Sequence, residues 1–351
     1  MHRTLSGWMP SAWTLKALGL SRRGGLPNPL RAARTALLAL GLAAATAGTA
    51  WAQAYPSRTV TLIVPFAVGS STDIMTRLVA KQLNDRFKTS HFIVDNKAGA
   101  NGVIGSDFVA KSRPDGYTLL VGTGTTHTQA PWMMKTMPYD PLRDFEPVAG
   151  IGGVPLMIVV GHDSPIKTLD ELRKAVAAQP GKLAYGTAFG AATVCSETLK
   201  RGLGLDLVQV PYKSSPQAIT DLMGGRIVMM CSDANTAMGP IRNKQLRPLA
   251  VTTAKRNAAL PDLPTLAETL PAFPEIRSWV GVFAPKGTPP DILQQLAPAI
   301  LAATESPDVL KVLSPNGFER LTASGPALSS FVQSELAKWE KLISQAGIEK
   351  E

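Results

Sequence analysis

The sequence predicts a mainly parallel α/β protein folded as two hinged lobes, and three observations predict it. Strand-like and helix-like segments alternate almost throughout residues 55–347, the pattern of successive βαβ units. Two long extended runs, near residues 150–160 and 278–284, are suited to cross between two bodies. Two crossings put both chain ends in one lobe and the middle in the other. Finally, residues 59–83 read as strand, small-residue loop and helix, which aims free N–H groups and a positive dipole end at one point. The expected organisation is a leader over 1–52, lobe 1 from 53–154 and 278–351, and lobe 2 from 155–277.

The elements follow from local pattern. The β-branched run Val60-Thr61-Leu62-Ile63-Val64 is a buried strand that breaks at Pro65. After the loop Ala67-Val68-Gly69-Ser70-Ser71, either Thr72 or Asp73 caps a helix with Ile74, Leu78, Val79 and Leu83 on one face. Strands are then expected at 92–95, 117–121, 148–160, 183–187, 207–210, 227–231, 249–252 and 278–284. Helices are expected at 103–111, 169–178, 193–201, 216–223, 236–243, 290–303, 307–313 and 327–346. Ligands in such sheets bind beyond the carboxyl ends of the strands, and in a two-lobed protein those ends face a shared cleft that closes by hinge motion.

The first 52 residues carry six basic and no acidic side chains, then the apolar run 36–50 and the small-x-small triplet Ala50-Trp51-Ala52. This is a secretory signal with a cut expected after Ala52, leaving Gln53 first and the protein in the periplasm. Ser21-Arg22-Arg23 keeps the twin-arginine route open beside the general one. Without the leader, 299 residues remain, enough for two domains, and 30 basic residues face 26 acidic ones, a net charge of +4 rather than +10. No basic block is left for nucleic acid. Cys195 and Cys231 either pair in an oxidising compartment or stay as two buried thiols.

The motifs favour binding over chemistry. Gly99-Ala-Asn-Gly102-Val-Ile-Gly105 lacks the paired G-x-G of a dinucleotide fingerprint. There is no G-x-S-x-G, and His91, His127 and His162 have no metal-ligand spacing, so neither metal nor cofactor is expected. Three further strand ends are small and donor-rich: Gly122-Thr-Gly-Thr-Thr-His127, Tyr185-Gly-Thr-Ala-Phe-Gly-Ala-Ala-Thr193 and Met230-Cys-Ser-Asp-Ala-Asn235. With 69–73 they suit capture of a small anion.

A set of short motifs in order carries a family resemblance. They include Tyr55-Pro56-Ser57-Arg58, Ile63-Val64-Pro65-Phe66, Thr72-Asp73-Ile74, Asn96-Lys97-Ala98-Gly99-Ala100-Asn101-Gly102 and Pro114-Asp115-Gly116-Tyr117-Thr118-Leu119. Met137-Pro138-Tyr139-Asp140-Pro141, Val210-Pro211-Tyr212-Lys213, Asp221-Leu222-Met223-Gly224-Gly225, Leu249-Ala250-Val251-Thr252, Leu260-Pro261-Asp262-Leu263-Pro264-Thr265 and Trp279 continue the series. The chain resembles the Bug family, periplasmic solute-binding receptors of tripartite tricarboxylate transporters. That resemblance implies a Venus-flytrap fold, a small carboxylate ligand, permease subunits as partners, no catalysis, and a protein expected to act as a monomer. It implies a first pincer of Phe66, Ala67, Val68, Gly69, Ser70, Ser71, Thr72 and Asp73. The second pincer maps to Thr187, Ala188, Phe189, Gly190, Ala191, Ala192 and Thr193, and the far end of the ligand to Thr126, His127, Ser232 and Asp233.

The chain departs from the family pattern in places that bear on the ligand. Ala67-Val68-Gly69-Ser70-Ser71 stands where the family usually has Pro-Pro-Gly-Gly-Gly, and Cys231-Ser232 where Phe-Asp is frequent. Ser232 removes the simplest partner for an amino acid's ammonium, although Asp233 lies next to it. Val68 and Phe189 make the site less polar, which suits an aromatic dicarboxylate such as terephthalate, with Phe189 pointing either into the site or into the lobe core. An aliphatic di- or tricarboxylate, an amino acid, a sensing subunit and a periplasmic enzyme are the other readings.

Overall fold

The computed structural model describes residues 55–88, 91–257 and 260–350. The expected signal peptide and its cleavage point lie outside the described residues. The strands are β1 (Val60–Val64), β2 (Phe92–Asn96), β3 (Thr118–Thr123), β4 (Phe145–Gly161), β5 (Ala184–Thr187), β6 (Val208–Pro211), β7 (Met229–Asp233), β8 (Leu246–Val251), β9 (Arg277–Pro285) and β10 (Glu319–Arg320). Between them run α1 (Ser71–Arg86), α2 (Val103–Ala110), α3 (Ala130–Met133), α4 (Leu169–Ala177), α5 (Gly190–Leu203), α6 (Ser215–Met223), α7 (Ala234–Arg242) and α8 (Leu266–Thr269). The chain ends in α9 (Pro290–Glu305), α10 (Pro307–Leu313) and α11 (Gly325–Gln345).

The architecture is α/β and two-lobed, with strand order β2-β1-β3-β9-β4-β7-β5-β6 and with β8 and β10 also paired to β4. Two groups are parallel, β2-β1-β3 and β6-β5-β7. The long strands joining them are antiparallel: β9 to β3 and β4, and β4 to β7 and β8. The sheet is therefore mixed rather than mainly parallel. A chain that crosses to a second body and returns must run its two crossings in opposite senses, which period-2 patterning does not report.

Strand β4 is 17 residues long and almost wholly buried. From Phe145 to Pro155 it pairs with β9, and from Leu156 onward with β7 and β8. Its glycines permit this crowding. A Cβ on Gly153 would sit 2.1 Å from the Ser278 carbonyl oxygen, and one on Gly152, whose φ is +151°, 2.5 Å from that of Glu319. The register shifts between Gly150 and Gly152, a bulge that bends the strand where its partners are about to change.

The predicted core face of α1 is rotated by about one position. Met75, Val79, Ala80 and Leu83 are buried together with Thr72 and Thr76, whereas Ile74 and Leu78 are only partly buried. The hydroxyl-bearing residues of the first turn face the protein, a choice hydrophobicity alone would not make. Two apolar clusters surround the half of β4 beyond Pro155, and the end of α11 belongs to the second of them through Trp339, Leu342 and Ile343. Among the described residues no helix is long and apolar enough to cross a membrane.

Cys195 on α5 and Cys231 on β7 are fully buried and joined as a disulfide, which settles the alternative left open by the sequence. The bond spans 36 residues and clamps α5 to the strand beside it. Closing a loop of that length is worth about 2–4 kcal/mol. Cys195→Ala/Cys231→Ala is expected to lose about that much in denaturant unfolding, with an m-value that rises as the unfolded chain opens; a loss below about 0.5 kcal/mol would show that the bond contributes little to stability.

Candidate functional site

Four helices begin at one cavity. Ser70 caps α1, its hydroxyl accepting from the Asp73 N–H at 3.3 Å; Phe189 precedes α5, Ser214 precedes α6, and Asp233 caps α7. Each of these residues lines the cavity, with Phe66, Ser71, Thr72 and Met75 from the first loop and helix. Ala188, Ala191 and Ser215 come from the second loop and the start of α6; Thr123, Gly124, Thr125 and Gln129 from the end of β3 and the turn after it; and Ser278, Trp279 and Val280 from β9. The first N–H groups of a helix have no acceptor within it, so this assembly offers many backbone donors and aligned dipoles to an anion. Among the described residues no lysine, arginine or histidine lines the cavity, and Asp233 is the charged side chain in its lining. The cavity is narrow, with about 40 Å³ of space for the centres of water-sized molecules, and it is partly open to solvent.

A chain of amides and hydroxyls ties the walls together. Asn316 Nδ2 donates to Asn235 Oδ1 at 3.0 Å, and Asn235 Nδ2 donates to Ser71 Oγ at 2.9 Å. Ser71 also hydrogen-bonds the Asp233 carboxylate, which accepts from the Thr236 N–H at 2.9 Å and its hydroxyl at 2.8 Å. Burial pushes the Asp233 carboxyl above the usual carboxylate range, and the Thr236 and Ser71 bonds only partly oppose this.

Of the residues expected from sequence, Phe66, Ser70, Ser71, Thr72, Ala188, Phe189, Ala191 and Asp233 line the cavity. Phe189 also packs, partly buried, against both apolar clusters, so the two orientations weighed for it are not exclusive. The others lie off it. Ala67 is partly buried, Val68 is 66% exposed on the outside of its loop, and Gly69 turns the chain at φ +79°. Thr187 accepts from Gln209 Nε2 at 3.0 Å, Ala192 is buried in the apolar core, and Thr193 Oγ1 donates back to the Phe189 carbonyl. Gly190 opens α5, and Ser232 is fully buried, its hydroxyl turned to the Asp233 carbonyl.

Thr126 and His127 are the clearest displacement. Strand β3 runs on to Thr123 and passes at once into a wide π-type turn, Thr125–Gln129. Residues 123–125 therefore face the cavity while the next two rotate into the core. Thr126 Oγ1 donates to the Thr123 carbonyl, meets His127 Nδ1 at 2.9 Å, and its own carbonyl accepts from the Tyr139 hydroxyl at 2.8 Å. The fully buried His127 ring stacks on Phe283 at 4.0 Å. Sequence reasoning missed Ser214 and Ser215, although Ser-Ser-Pro after a strand signals a helix start. It also missed Gln129 and the contact made by Trp279, which carry no local signal.

Asp73 supports the first loop from behind rather than capping the helix. Its carboxylate accepts from the Gly69 N–H at 3.0 Å, from Asn96 Nδ2 at 2.9 Å and from Arg77 Nε at 3.0 Å. Burial pushes its carboxyl up, but the bonds from Arg77, Gly69 and Asn96 outweigh this and hold it below the usual range.

The description of the tripartite tricarboxylate transporter family receptor matches residues 75–348. BugT of Bordetella pertussis is 35% identical over 322 residues, covering 89% of this chain and 98% of its own. The solved structure of R. palustris Rpa4515 with adipate is similar at a TM-score of 0.81 and 35% identity, covering 85% of this chain and all of that one. MatC (Rpa3494) from Rhodopseudomonas palustris with bound malate gives 0.76 and 31%, over 82% of this chain and all of that one.

Two outcomes follow from this geometry. Asp73→Ala is expected to lose about 1–3 kcal/mol of stability, whereas Asp73→Asn, which keeps an acceptor for the Gly69 N–H, binds ligand nearly as well as the parent. Severe, equal loss of affinity in both with stability intact would make Asp73 a ligand contact. The second concerns pH. Burial lowers the His127 pKa to about 3 from 6.5, so between those values the unfolded chain binds a proton that the folded one refuses. Stability is fully present above pH 6.5 and falls as pH drops through that window, by at most about 1.4 kcal/mol per pH unit from this one group. His127→Leu should flatten the decline between pH 7 and 5; an unchanged slope would exclude His127 as its source.

Proposed function

The chain belongs to the tripartite tricarboxylate transporter receptor family, and on that premise we propose that it is a periplasmic solute-binding protein that captures a small carboxylate for a transporter of this type. The observation that carries the reading is the convergence of four helix starts on one cavity whose lining has no basic side chain. A carboxylate is the small anion such neutral donors suit best, because backbone N–H groups already aimed at it need little reorganisation. In this reading residues 1–52 are removed on export, and the protein works as a monomer that docks on membrane permease subunits. Residues 53–154 with 278–351 form one lobe and 155–277 the other, hinged where β4 changes partners.

The proposed ligand is an aromatic dicarboxylate such as terephthalate, its ring lying against Phe66, Phe189 and Trp279 rather than against the outward-facing Val68. A second reading, a slender aliphatic dicarboxylate, is favoured by the small volume of the cavity and by the adipate and malate held by the two similar proteins. Asp233 at the cavity wall makes an amino acid the third arm of the test.

Calorimetry and thermal unfolding with terephthalate, adipate, malate, citrate and aspartate separate these readings. A ligand at 100 times its Kd adds about 2.7 kcal/mol of stability, and micromolar binding corresponds to about 8 kcal/mol. Dicarboxylates are expected to bind and to be recovered unchanged. Binding of aspartate alone would overturn the ligand class, and recovery of altered ligand in proportion to protein would overturn the receptor reading.

A further inference from the structure

We propose that Trp279 and Gln129 form the subsite that reads the second end of the ligand, and that this end must be a hydrogen-bond acceptor. The proposal rests on the carboxylate reading above and deepens it. Buried polar atoms almost always have partners. Trp279 Nε1 and Gln129 Oε1 are buried and have none, although the two residues are only 5% and 1% exposed. Both side chains line the cavity.

Their nitrogens converge. A Cβ placed on Gly124 would lie 3.1 Å from Trp279 Nε1 and 3.1 Å from Gln129 Nε2, so both donors face one point over the bare side of that glycine. That point is within bonding distance of the Gly124 Cα, so a ligand oxygen would pack farther out, against the bare face of the glycine, with both donors beside it. The amide is oriented for this task. Its oxygen lies beside Gly190, where an added Cβ would come within 2.3 Å of it, and Gly190 is the first residue of α5. The positive end of that helix attracts the amide oxygen and turns the NH₂ toward Gly124. The indole is fixed by Phe331, edge-on at 5.4 Å, and by His127 at 6.2 Å. A carboxylate, carbonyl or ether oxygen satisfies the unpaired Trp279 N–H; an ammonium has no lone pair to offer that donor and would meet only the Gln129 oxygen. This pair replaces Thr126, His127 and Ser232, which are turned away from the cavity.

The test uses matched ligands that differ only at the second end: adipate with hexanoate, and terephthalate with 4-methylbenzoate. Affinities are measured by calorimetry on the parent protein, Trp279→Phe and Gln129→Leu. Losing one hydrogen bond to a charged acceptor corresponds to about a 10- to 100-fold loss of affinity. Each variant is expected to lose that much for the diacid, less than about threefold for the monoacid, and so to erase the diacid preference. Gly124→Ala keeps the backbone, whose φ is −50°, and fills the point between the nitrogens; it should act the same way if Trp279→Phe does not fold. Equal losses on both ligands of a pair, or a retained diacid preference, would overturn the subsite. A diacid preference abolished only by Asp233→Asn would also overturn it and give the role to Asp233. If the parent binds none of the four acids, the carboxylate reading itself fails, a result distinct from a parent that binds them and variants that do not discriminate.

Discussion

In the proposed reading, the architecture surrounds a carboxylate with donors and no counter-charge. A lysine or arginine in the cavity would supply attraction at the cost of desolvating a second ion. Backbone N–H groups supply it with their dipoles already in place. Such donors are abundant only where a parallel strand feeds a helix, so the site needs several βα junctions with their strand ends in one region. The two parallel groups, β2-β1-β3 and β6-β5-β7, provide them. The antiparallel strands β4 and β9 bring the two groups face to face. Hydroxyls from Ser70, Thr125 and Ser214 fill the remaining positions without adding charge.

Much of this was legible before any coordinates. The order and span of nearly every long element follow from periodicity, because strands and helices here are buried on faces that composition marks. The first loop was expected to meet an anion because its serine and glycine cluster lies between a β-branched run and an amphipathic run, and Phe66, Ser70, Ser71 and Thr72 do line the cavity. What was not legible depends on tertiary geometry. The cap of α1 fell to Ser70 rather than Thr72 or Asp73 since four residues in a row, Ser70 to Asp73, all favour caps, and only the backbone selects among them. Thr126 and His127 were displaced because the chain enters a π-type turn after Thr123, and a turn of that width rotates the side chains away from where an ordinary helix would place them. Trp279 stands out in the sequence only through the family resemblance; it is buried, with its indole N–H unpaired at the cavity.

Buried charge is handled in two contrasting ways around the site. Asp73 is ringed by donors and held ionised, so it stiffens the first loop as an anchor. Asp233 is fully buried at the cavity wall and has no cation among its partners, so burial outweighs its hydrogen bonds and its charge is held less firmly. His127 has one partner and an apolar cage, and it stays neutral. Buried titratable groups thus play support, wall and core, and the difference lies in how far each is desolvated and whether a cation stands beside it.

The chain from Asn316 through Asn235 to Ser71 has a thermodynamic consequence of its own. Its bonds are protein to protein, and they join α1 to α7 and to the turn at 314–316. Their free energy belongs to the shut form whatever occupies the cavity, so they multiply the affinity of every ligand by one common factor and rank none above another. Asn235 and Asn316 lie off the cavity lining and so bear on strength of capture alone, whereas Ser71 belongs both to the chain and to the lining and couples strength to choice of solute.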